Sequence, residues 1–259
     1  GLVVGRADSG ALPLRMMTYN IKAYLADQKE GGYEAIAREV ALHDPDILVM
    51  QDAIELTQRH YERPGLVHDL FAGRYPYQHG QYIVLSRFPL RDCQAIALPQ
   101  PPHHATSDYA HCVLTANGVD IDLYTAHLLS PRSGLNATRR ELADGGLDDW
   151  QQNFNLRLAQ ARKIAADLAA RRTDRPMILA GDLNAAEASP VIRTLLATGL
   201  RDAFSSAGFG YGYSHGHALR FGFSFLRIDH ILVSPGIGVV DAHPGGWQAS
   251  EHRPVIADL

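Results

Sequence analysis

The stretch MILAGDLN, residues 177–184, decides the fold. Its four apolar residues run directly into Gly-Asp-Leu-Asn, which predicts a buried strand with polar side chains at its end. Residues 14–20 repeat this arrangement and end at Asn20, and an apolar strand over residues 46–50 leads through a glutamine into Asp52. A rigid sheet holds the loops at its strand ends, and catalytic groups tend to lie on such loops. We therefore expect the polar residues at these three strand ends to converge in one pocket.

Segments with helical spacing of apolar residues separate the predicted strands. The first spans residues 33–41 and is stopped by Pro45, and the second spans residues 154–168. A third helix begins after Ser189, a good N-cap residue, and ends at Gly199. Further strands are predicted at residues 82–86, 93–98, 111–116, 119–127, 226–234 and 255–259.

This order of elements predicts an α/β fold with mixed sheets. Helices alternate with strands, but Asn117-Gly118 is a strong hairpin signal, so some neighbouring strands must be antiparallel. The 259 residues contain no internal repeat, low-complexity tract or linker, and this length suits one large domain. We expect residues 14–259 to form a single domain, preceded by an extension over residues 1–13.

The composition does not favour a protein that grips long nucleic acid. The net charge is -4, three residues are lysine, and the arginines are scattered, whereas such a nuclease usually has a basic face.

No segment approaches the ~20 apolar residues of a membrane span. The apolar start, residues 1–5, is too short for a signal peptide. A mature form or an excised domain fits these features, and localisation stays open.

The two cysteines, Cys93 and Cys112, lie in segments that are predicted as successive strands. A cross-strand disulfide is conceivable, but a free cysteine commonly behaves as a small buried hydrophobic residue, and we expect two unpaired thiols. No cysteine spacing typical of a zinc site occurs.

Six short polar segments carry the functional argument. Each one alone is more typical of a turn or a helix cap. In this order, however, they resemble the endonuclease/exonuclease/phosphatase superfamily, which includes pancreatic deoxyribonuclease, abasic-site endonucleases, neutral sphingomyelinases and inositol polyphosphate 5-phosphatases. The resemblance covers residues 14–259. It implies a four-layer α/β sandwich: two mixed, mainly antiparallel β-sheets packed face to face, with helices on the outer faces. The segments are residues 18–21, 51–52, 125–128, 181–184, 228–230 and 250–254.

The resemblance implies a divalent-metal site. Asp52 would be the main metal ligand, with Asn20 and Glu251 near it. Hard oxygen ligands of this kind suit Mg²⁺ or Mn²⁺ better than zinc. The family usually has Glu at the position of Asp52 and Asp at the position of Glu251. Because one carboxylate is shorter and the other longer, we expect the two changes to compensate.

The resemblance also implies the catalytic residues of a phosphoesterase. Asp182 would position and deprotonate the attacking water, and Asn184 would orient the water or the phosphate. His252, paired with Asp229, and His127 would bind the phosphoryl oxygens, and a carboxylate partner favours the imidazolium that this role needs. Two of these residues also have structural interpretations. Asp229 could cap a turn or pair with Arg227, and His127 could be a satisfied core histidine. The remaining histidines are predicted to be solvated (His103, His104, His215 and His217) or structural (His230).

Many relatives carry an arginine for the phosphate where this chain has Tyr109-Ala110-His111, so the neutralisation of the substrate is open. A second functional class, a non-catalytic binding domain on the same fold, remains an alternative. A calcineurin-type dimetal enzyme is not favoured because its Gly-Asn-His-Asp/Glu segment does not occur.

The expected substrate is a lipid or small phosphoester, with nucleic acid as a less favoured alternative. Residues 128–137 resemble bacterial members that carry an N-terminal membrane-spanning region, so a membrane tether outside this chain and an extracytoplasmic location are consistent with the sequence. Residues 132–152 are predicted to be an irregular surface loop, with a lid or membrane contact as the alternative. We expect a monomer.

Overall fold

The computed structural model of the protein contains two six-stranded β-sheets with helices on their outer faces. This confirms the predicted α/β sandwich. Among the described residues, no helix has the length and apolar character that a membrane crossing requires. The structure describes residues 13–100, 107–116, 118–131, 146–171, 174–219 and 222–259.

The described residues form twelve strands and seven helices. The strands are β1 (Arg15–Asn20), β2 (Ile47–Gln51), β3 (Tyr75–His79), β4 (Tyr82–Ser86), β5 (Leu90–Ala97), β6 (Asp108–Ala116), β7 (Val119–His127), β8 (Met177–Asp182), β9 (Arg201–Asp202), β10 (Asp229–Val233), β11 (Asp241–Pro244) and β12 (Val255–Asp258). The helices are α1 (Ala23–Ala26), α2 (Gly32–His43), α3 (Gln58–Tyr61), α4 (Leu66–Phe71), α5 (Gly146–Arg171), α6 (Pro190–Leu196) and α7 (Ala203–Ala207).

Each sheet has one parallel pair at its centre. The first sheet has the strand order β11-β12-β1-β2-β4-β3, and the second has β5-β6-β7-β8-β10-β9. The pairs β1/β2 and β7/β8 are parallel, and the other paired strands are antiparallel. Parallel neighbours end at the same edge of a sheet, so the polar residues that follow these four strands are brought together in pairs.

Alternating side chains of the central strands build three apolar layers. Met16 and Val49 of the first sheet pack with Ile178 and Ile231 of the second, which forms the core between the sheets. On the outer faces, the first sheet packs against α2 and α4, and the second sheet against α5 and α6. The period of two along each strand explains this division, because successive side chains point to opposite faces.

Two sequence predictions require correction. Residues 146–152 are the first two turns of α5 rather than part of an irregular loop. Trp150 and its neighbours, which are rich in polar residues, hid the helical continuation because the apolar spacing starts only at Phe154. Residues 132–145, the rest of that predicted loop, lie outside the described residues, as do residues 1–12 of the predicted extension.

Cys93 and Cys112 form a disulfide, so the prediction of two free thiols was wrong. A bulge in β5 between Arg91 and Gln94 shifts the register with β6 and places the two Cα atoms 4.1 Å apart. Such a bulge leaves one residue out of the ladder, and its position cannot be read from alternating hydrophobicity.

Gly181 lies where β8 passes very close to β7. Its φ is +157°, and a Cβ at this position would lie 1.9 Å from the carbonyl oxygen of Ala126. Since no L-residue fits there without moving the backbone, glycine is required directly before Asp182.

We expect Gly181→Ala to lower the free energy of unfolding by at least about 2 kcal/mol, because the added methyl group forces β7 and β8 apart. Urea denaturation followed by circular dichroism measures the loss. The matched control is Gly236→Ala, where a Cβ meets nothing within 4 Å and stability should stay within about 1 kcal/mol of the wild type. Equal stability of the two variants would contradict the argument.

Candidate active site

The strand register brings the predicted site residues together at one end of both sheets. In the second sheet, Asp182 lies opposite His127 on β7 and opposite Asp229 on β10. In the first sheet, Asn20 at the end of β1 lies opposite Gln51 at the end of β2. Three polar strand ends of one sheet therefore face two of the other.

Asp182 is the centre of this cluster. Its carboxylate is fully buried. The atom Oδ2 accepts a hydrogen bond of 3.0 Å from the Asn20 amide and lies 3.4 Å from His127 Nε2 and 3.7 Å from His252 Nε2. The atom Oδ1 accepts the backbone N–H of Asn184 at 3.0 Å. These two hydrogen bonds, one to each oxygen, hold the carboxylate in one orientation.

His252 is held in place by Asp229. Its Nδ1–H donates to Asp229 Oδ2 at 2.9 Å, which turns Nε2 towards Asp182. The alternative partner of Asp229, Arg227, instead binds Asp202 and Glu187. The pairing of a buried imidazole with a buried carboxylate fixes the tautomer of His252 and favours its cation.

His127 lies between two carboxylates. Its Nδ1–H donates to the Gln81 amide oxygen at 2.6 Å and lies 3.4 Å from Asp52 Oδ1, while Nε2 faces Asp182. The Tyr82 hydroxyl accepts the backbone N–H of His127 at 3.0 Å. The ring thus contacts one carboxylate from each sheet, which a satisfied core histidine would not require.

Asp52 is paired with a lysine. Lys22 Nζ donates to Asp52 Oδ2 at 2.7 Å, and their side chains are only 16% and 22% exposed. Lys22, Asp52 and Asn184 have φ values of 46°, 50° and 48°, in the left-handed region that non-glycine residues seldom adopt. Since three such residues surround one pocket, the fold maintains local backbone strain at this site.

The electrostatics of the pocket follow from buried opposite charges. Burial alone lowers the pKa of His127, but hydrogen bonding to Asp52 and the charges of Asp182 and Asp52 raise it above its ordinary value. Burial likewise lowers the pKa of His252, and the charges of Asp229 and Asp182 outweigh this and raise it. The same attractions overcome burial to lower the pKa of Asp52 and of Asp229. Both imidazoles are therefore biased towards the cation.

The two remaining predicted residues also border the pocket. Asn184 is buried, and its side-chain N–H donates to the Leu128 carbonyl at 2.8 Å. Glu251 directly precedes His252, and its neighbour Ser250 donates through its hydroxyl to the Asn20 carbonyl at 2.8 Å. Glu251 thus lies on the chain segment that contacts the end of β1. Joint coordination of a metal by Glu251 and Asp52 stays a prediction.

Two sets of residues in the pocket could hold a metal. Among the described residues, Asp182, Asp229 and His252 offer ligand atoms within 4.8 Å of one another. We favour the predicted set of Asn20, Asp52 and Glu251, because its side chains all offer hard oxygen atoms, whereas the other set includes an imidazole. The Lys22 ammonium in contact with Asp52 shows that a cation fits at this carboxylate. Hard oxygen donors suit Mg²⁺ or Mn²⁺, so the residues present fit such an ion.

Sequence reasoning missed two site residues and misplaced a third. Lys22, at the start of α1, carried no motif signal. His215, predicted to be solvated, is buried, with its ring centroid 4.4 Å from that of His252 and its Nδ1 3.0 Å from the Glu251 carbonyl. His230, treated as an outward neighbour of Asp229, is fully buried, with its ring nitrogens 2.7 Å from Asp202 and 2.9 Å from a backbone carbonyl. The predicted solvated pair at 103–104 lies outside the described residues.

The sequence model of the Endonuclease/Exonuclease/phosphatase family matches residues 17–252. The chain belongs to this family. Its members are hydrolases that act on phosphoesters and generally depend on a divalent metal. No curated protein sequence matches the chain.

Solved structures of this family share the fold. Truncated Caenorhabditis elegans TDP2 superposes with a TM-score of 0.68 at 19% identity, over 95% of this chain and 97% of that one. The mannosyl-6-phosphatase Bt3783 of Bacteroides thetaiotaomicron gives 0.68 at 16%, over 94% and 98%. Beta toxin 275–280 from Staphylococcus aureus gives 0.71 at 13%, over 94% and 99%. At these identities, the likeness concerns the fold alone.

A buried charge network supports the strand that carries Asp229. The two oxygens of Asp202 accept from Arg227 at 2.8 Å and from His230 at 2.7 Å, and Asp202 also caps α7 through the Ser205 N–H. Although burial raises the pKa of Asp202, hydrogen bonding and charge from His230, together with the charge of Arg227, lower it to about 2.

A carboxyl group whose pKa is lowered by folding stabilises the folded protein at pH values above its ordinary pKa. This stabilisation is lost as the pH falls towards the pKa of the folded state. We expect Asp202 to contribute about 2 kcal/mol at neutral pH and to lose it between about pH 4 and pH 2. The stability gap between the wild type and Asp202→Asn, measured by guanidinium unfolding, should narrow by about 1 kcal/mol from pH 5 to pH 3. Asp241→Asn, at a half-exposed aspartate, is the control for the substitution itself. A constant gap for Asp202→Asn would refute the coupling.

Proposed function

We propose that the protein is a divalent-metal-dependent phosphoesterase that hydrolyses a phosphodiester or phosphomonoester by attack of an activated water. The observation that carries the proposal is the environment of Asp182. One carboxylate oxygen faces His127, His252 and Asn20 within 3.7 Å. A binding domain would have no need for a carboxylate and two imidazolium-biased rings in this arrangement.

Each residue of the site has its own role in the proposed hydrolysis. Asp182 accepts the proton of the attacking water, and Asn184, fixed by the Leu128 carbonyl, orients the water or the phosphate. His127 and His252 donate to the phosphoryl oxygens, where negative charge develops in the transition state. Asp229 positions His252 and stabilises its cation. A bound Mg²⁺ or Mn²⁺, held by residues of the Asp52 set, would neutralise phosphate charge.

Three features favour a lipid or small phosphoester over long DNA. The chain has a net charge of -4 and only three lysines, so the strong phosphate-backbone attraction of a DNA-binding protein has little basis. The histidine of the segment that lacks the arginine of many relatives, His111, is buried and bound to Asp122, so it is not available to a substrate. The Cys93–Cys112 disulfide is typical of an oxidising compartment and supports an extracytoplasmic location.

We expect Asp182→Asn and His252→Ala to lower kcat for bis-p-nitrophenyl phosphate by about 10²-fold or more, because each removes a proton acceptor or a donor to the developing charge. Activity should require Mg²⁺ or Mn²⁺ and disappear with a chelator. The control is His243→Ala, a half-exposed histidine paired with Asp241, which should keep full activity. Equal activity of all three variants would remove the proposed site.

A panel of substrates separates the chemical classes. Phosphatidylcholine vesicles, phosphoinositides, p-nitrophenyl phosphate and plasmid DNA are each assayed with Mg²⁺ and with Mn²⁺. We expect turnover of lipid or small phosphoesters to exceed nicking of the plasmid. A plasmid-nicking rate far above the lipid rates would instead identify a nuclease.

Asp52 is one methylene shorter, and Glu251 one methylene longer, than the residue that the family usually has at each position. We therefore predict that the two changes compensate in metal binding. We expect Asp52→Glu alone to weaken Mg²⁺ binding, because octahedral coordination near ~2.0–2.1 Å tolerates little displacement of a ligand. Isothermal titration calorimetry measures the change, with Glu187→Asp as the control, because Glu187 binds Arg227 and lies outside the predicted ligand set. Tighter binding by Asp52→Glu would show that the two residues are not matched.

A further inference from the structure

Lys22 is the only one of the three lysines that lies in the active-site pocket. Lys29 is exposed on the far side of α1, and Lys163 pairs with Asp167 on α5. The Lys22 backbone is fixed at the start of α1: its N–H donates to the Asn20 side chain at 3.2 Å, and its carbonyl accepts from Leu25 and Ala26. A fixed backbone and a mostly buried side chain aim the ammonium at Asp52.

The contact between Lys22 and Asp52 engages the carboxylate that is expected to bind the metal. Nζ lies 2.7 Å from Oδ2, and the other oxygen, Oδ1, faces His127 at 3.4 Å. Both oxygens of Asp52 therefore already contact positively charged or donating groups. A divalent cation that coordinates this carboxylate is opposed by the ammonium, because two cations within a few ångströms in a partly buried pocket repel strongly. The repulsion is relieved when the ammonium moves away.

We propose that the Lys22 ammonium competes with the metal for Asp52. It binds this carboxylate in the metal-free protein and must release it when the divalent ion binds. Lys22 thereby lowers the affinity of the site for metal and keeps the acidic pocket compensated without one. The inference rests on the proposed function, since it concerns the same metal site, but it predicts a binding property rather than turnover.

The shorter side chain of Asp52 is consistent with this role. A glutamate, which relatives usually carry here, would extend its carboxylate by one methylene into the space where the ammonium lies. Asp52 leaves that space to Lys22. The ammonium of Lys22 and the shorter side chain of Asp52 thus belong to the same arrangement.

The test is calorimetric titration of the full chain with MnCl₂ after treatment with a chelator. We expect Lys22→Met, which keeps an unbranched side chain of similar length and removes the charge, to bind Mn²⁺ at least about tenfold more tightly, equivalent to about 1.4 kcal/mol. Lys29→Met, the matched exposed control, should stay within about twofold of the wild type. Asp52→Asn should lose most of the affinity.

A double variant tests whether Lys22 acts through Asp52. In Lys22→Met/Asp52→Asn, binding should be no tighter than in Asp52→Asn, because the competing contact no longer exists. Thermal unfolding checks that the variants are folded, and Lys22→Gln, a second neutral replacement, serves if Lys22→Met is not.

The outcomes are distinguishable from failure of the proposed function. If neutral replacements of Lys22 bind Mn²⁺ no more tightly than the wild type, or if Asp52→Asn binds as well as the wild type, the inference is overturned. If Lys22→Met binds more tightly as expected but no phosphoester in the panel is hydrolysed, the inference stands and the proposed function fails.

Discussion

One hydrogen bond between the sheets sets the geometry on which the site depends: the Asn20 amide, at the end of the first sheet, donates to Asp182 at the end of the second. A second buried link runs parallel to it, because the Gln51 side chain donates to the Thr125 hydroxyl at 3.0 Å. Both donors end strands of the parallel pair β1/β2. Buried polar groups without partners are costly, so these links fix how the two sheets meet. The pocket lies at that junction.

The charged contacts of the pocket also cross between the sheets. His127 of the second sheet lies against Asp52 of the first, and His252 next to the first sheet lies against Asp229 and Asp182 of the second. Each pair brings opposite charges into a region where either one alone would be destabilised by burial. The ion pairs that are proposed to act in catalysis are therefore also contacts that hold the sheets together. Loss of one partner would leave a buried charge unpaired in the other sheet.

The sequence predicted what local patterns encode. Apolar runs followed by polar residues identified the ends of β1, β2, β7 and β8, because both the strand and its exit are continuous in the chain. It did not predict the disulfide, which depends on a bulge in β5, or the burial of His215, which depends on a long segment folding back over His252. Those features arise from distant segments and from irregular backbone, which periodicity does not report.

Lys22 illustrates the same limit in the site itself. Two residues after Asn20, it is the N-cap of a short helix and belongs to no motif, and its backbone is left-handed at that position. Its presence changes how the charges of the pocket balance. In place of an arginine on β6, the chain has an ammonium that already contacts the carboxylate expected to bind metal. Lys22 thus offsets part of the negative charge that Asp52, Asp182 and Asp229 bring to the pocket. A divalent ion that binds there would change this balance of charges rather than fill an inert cavity.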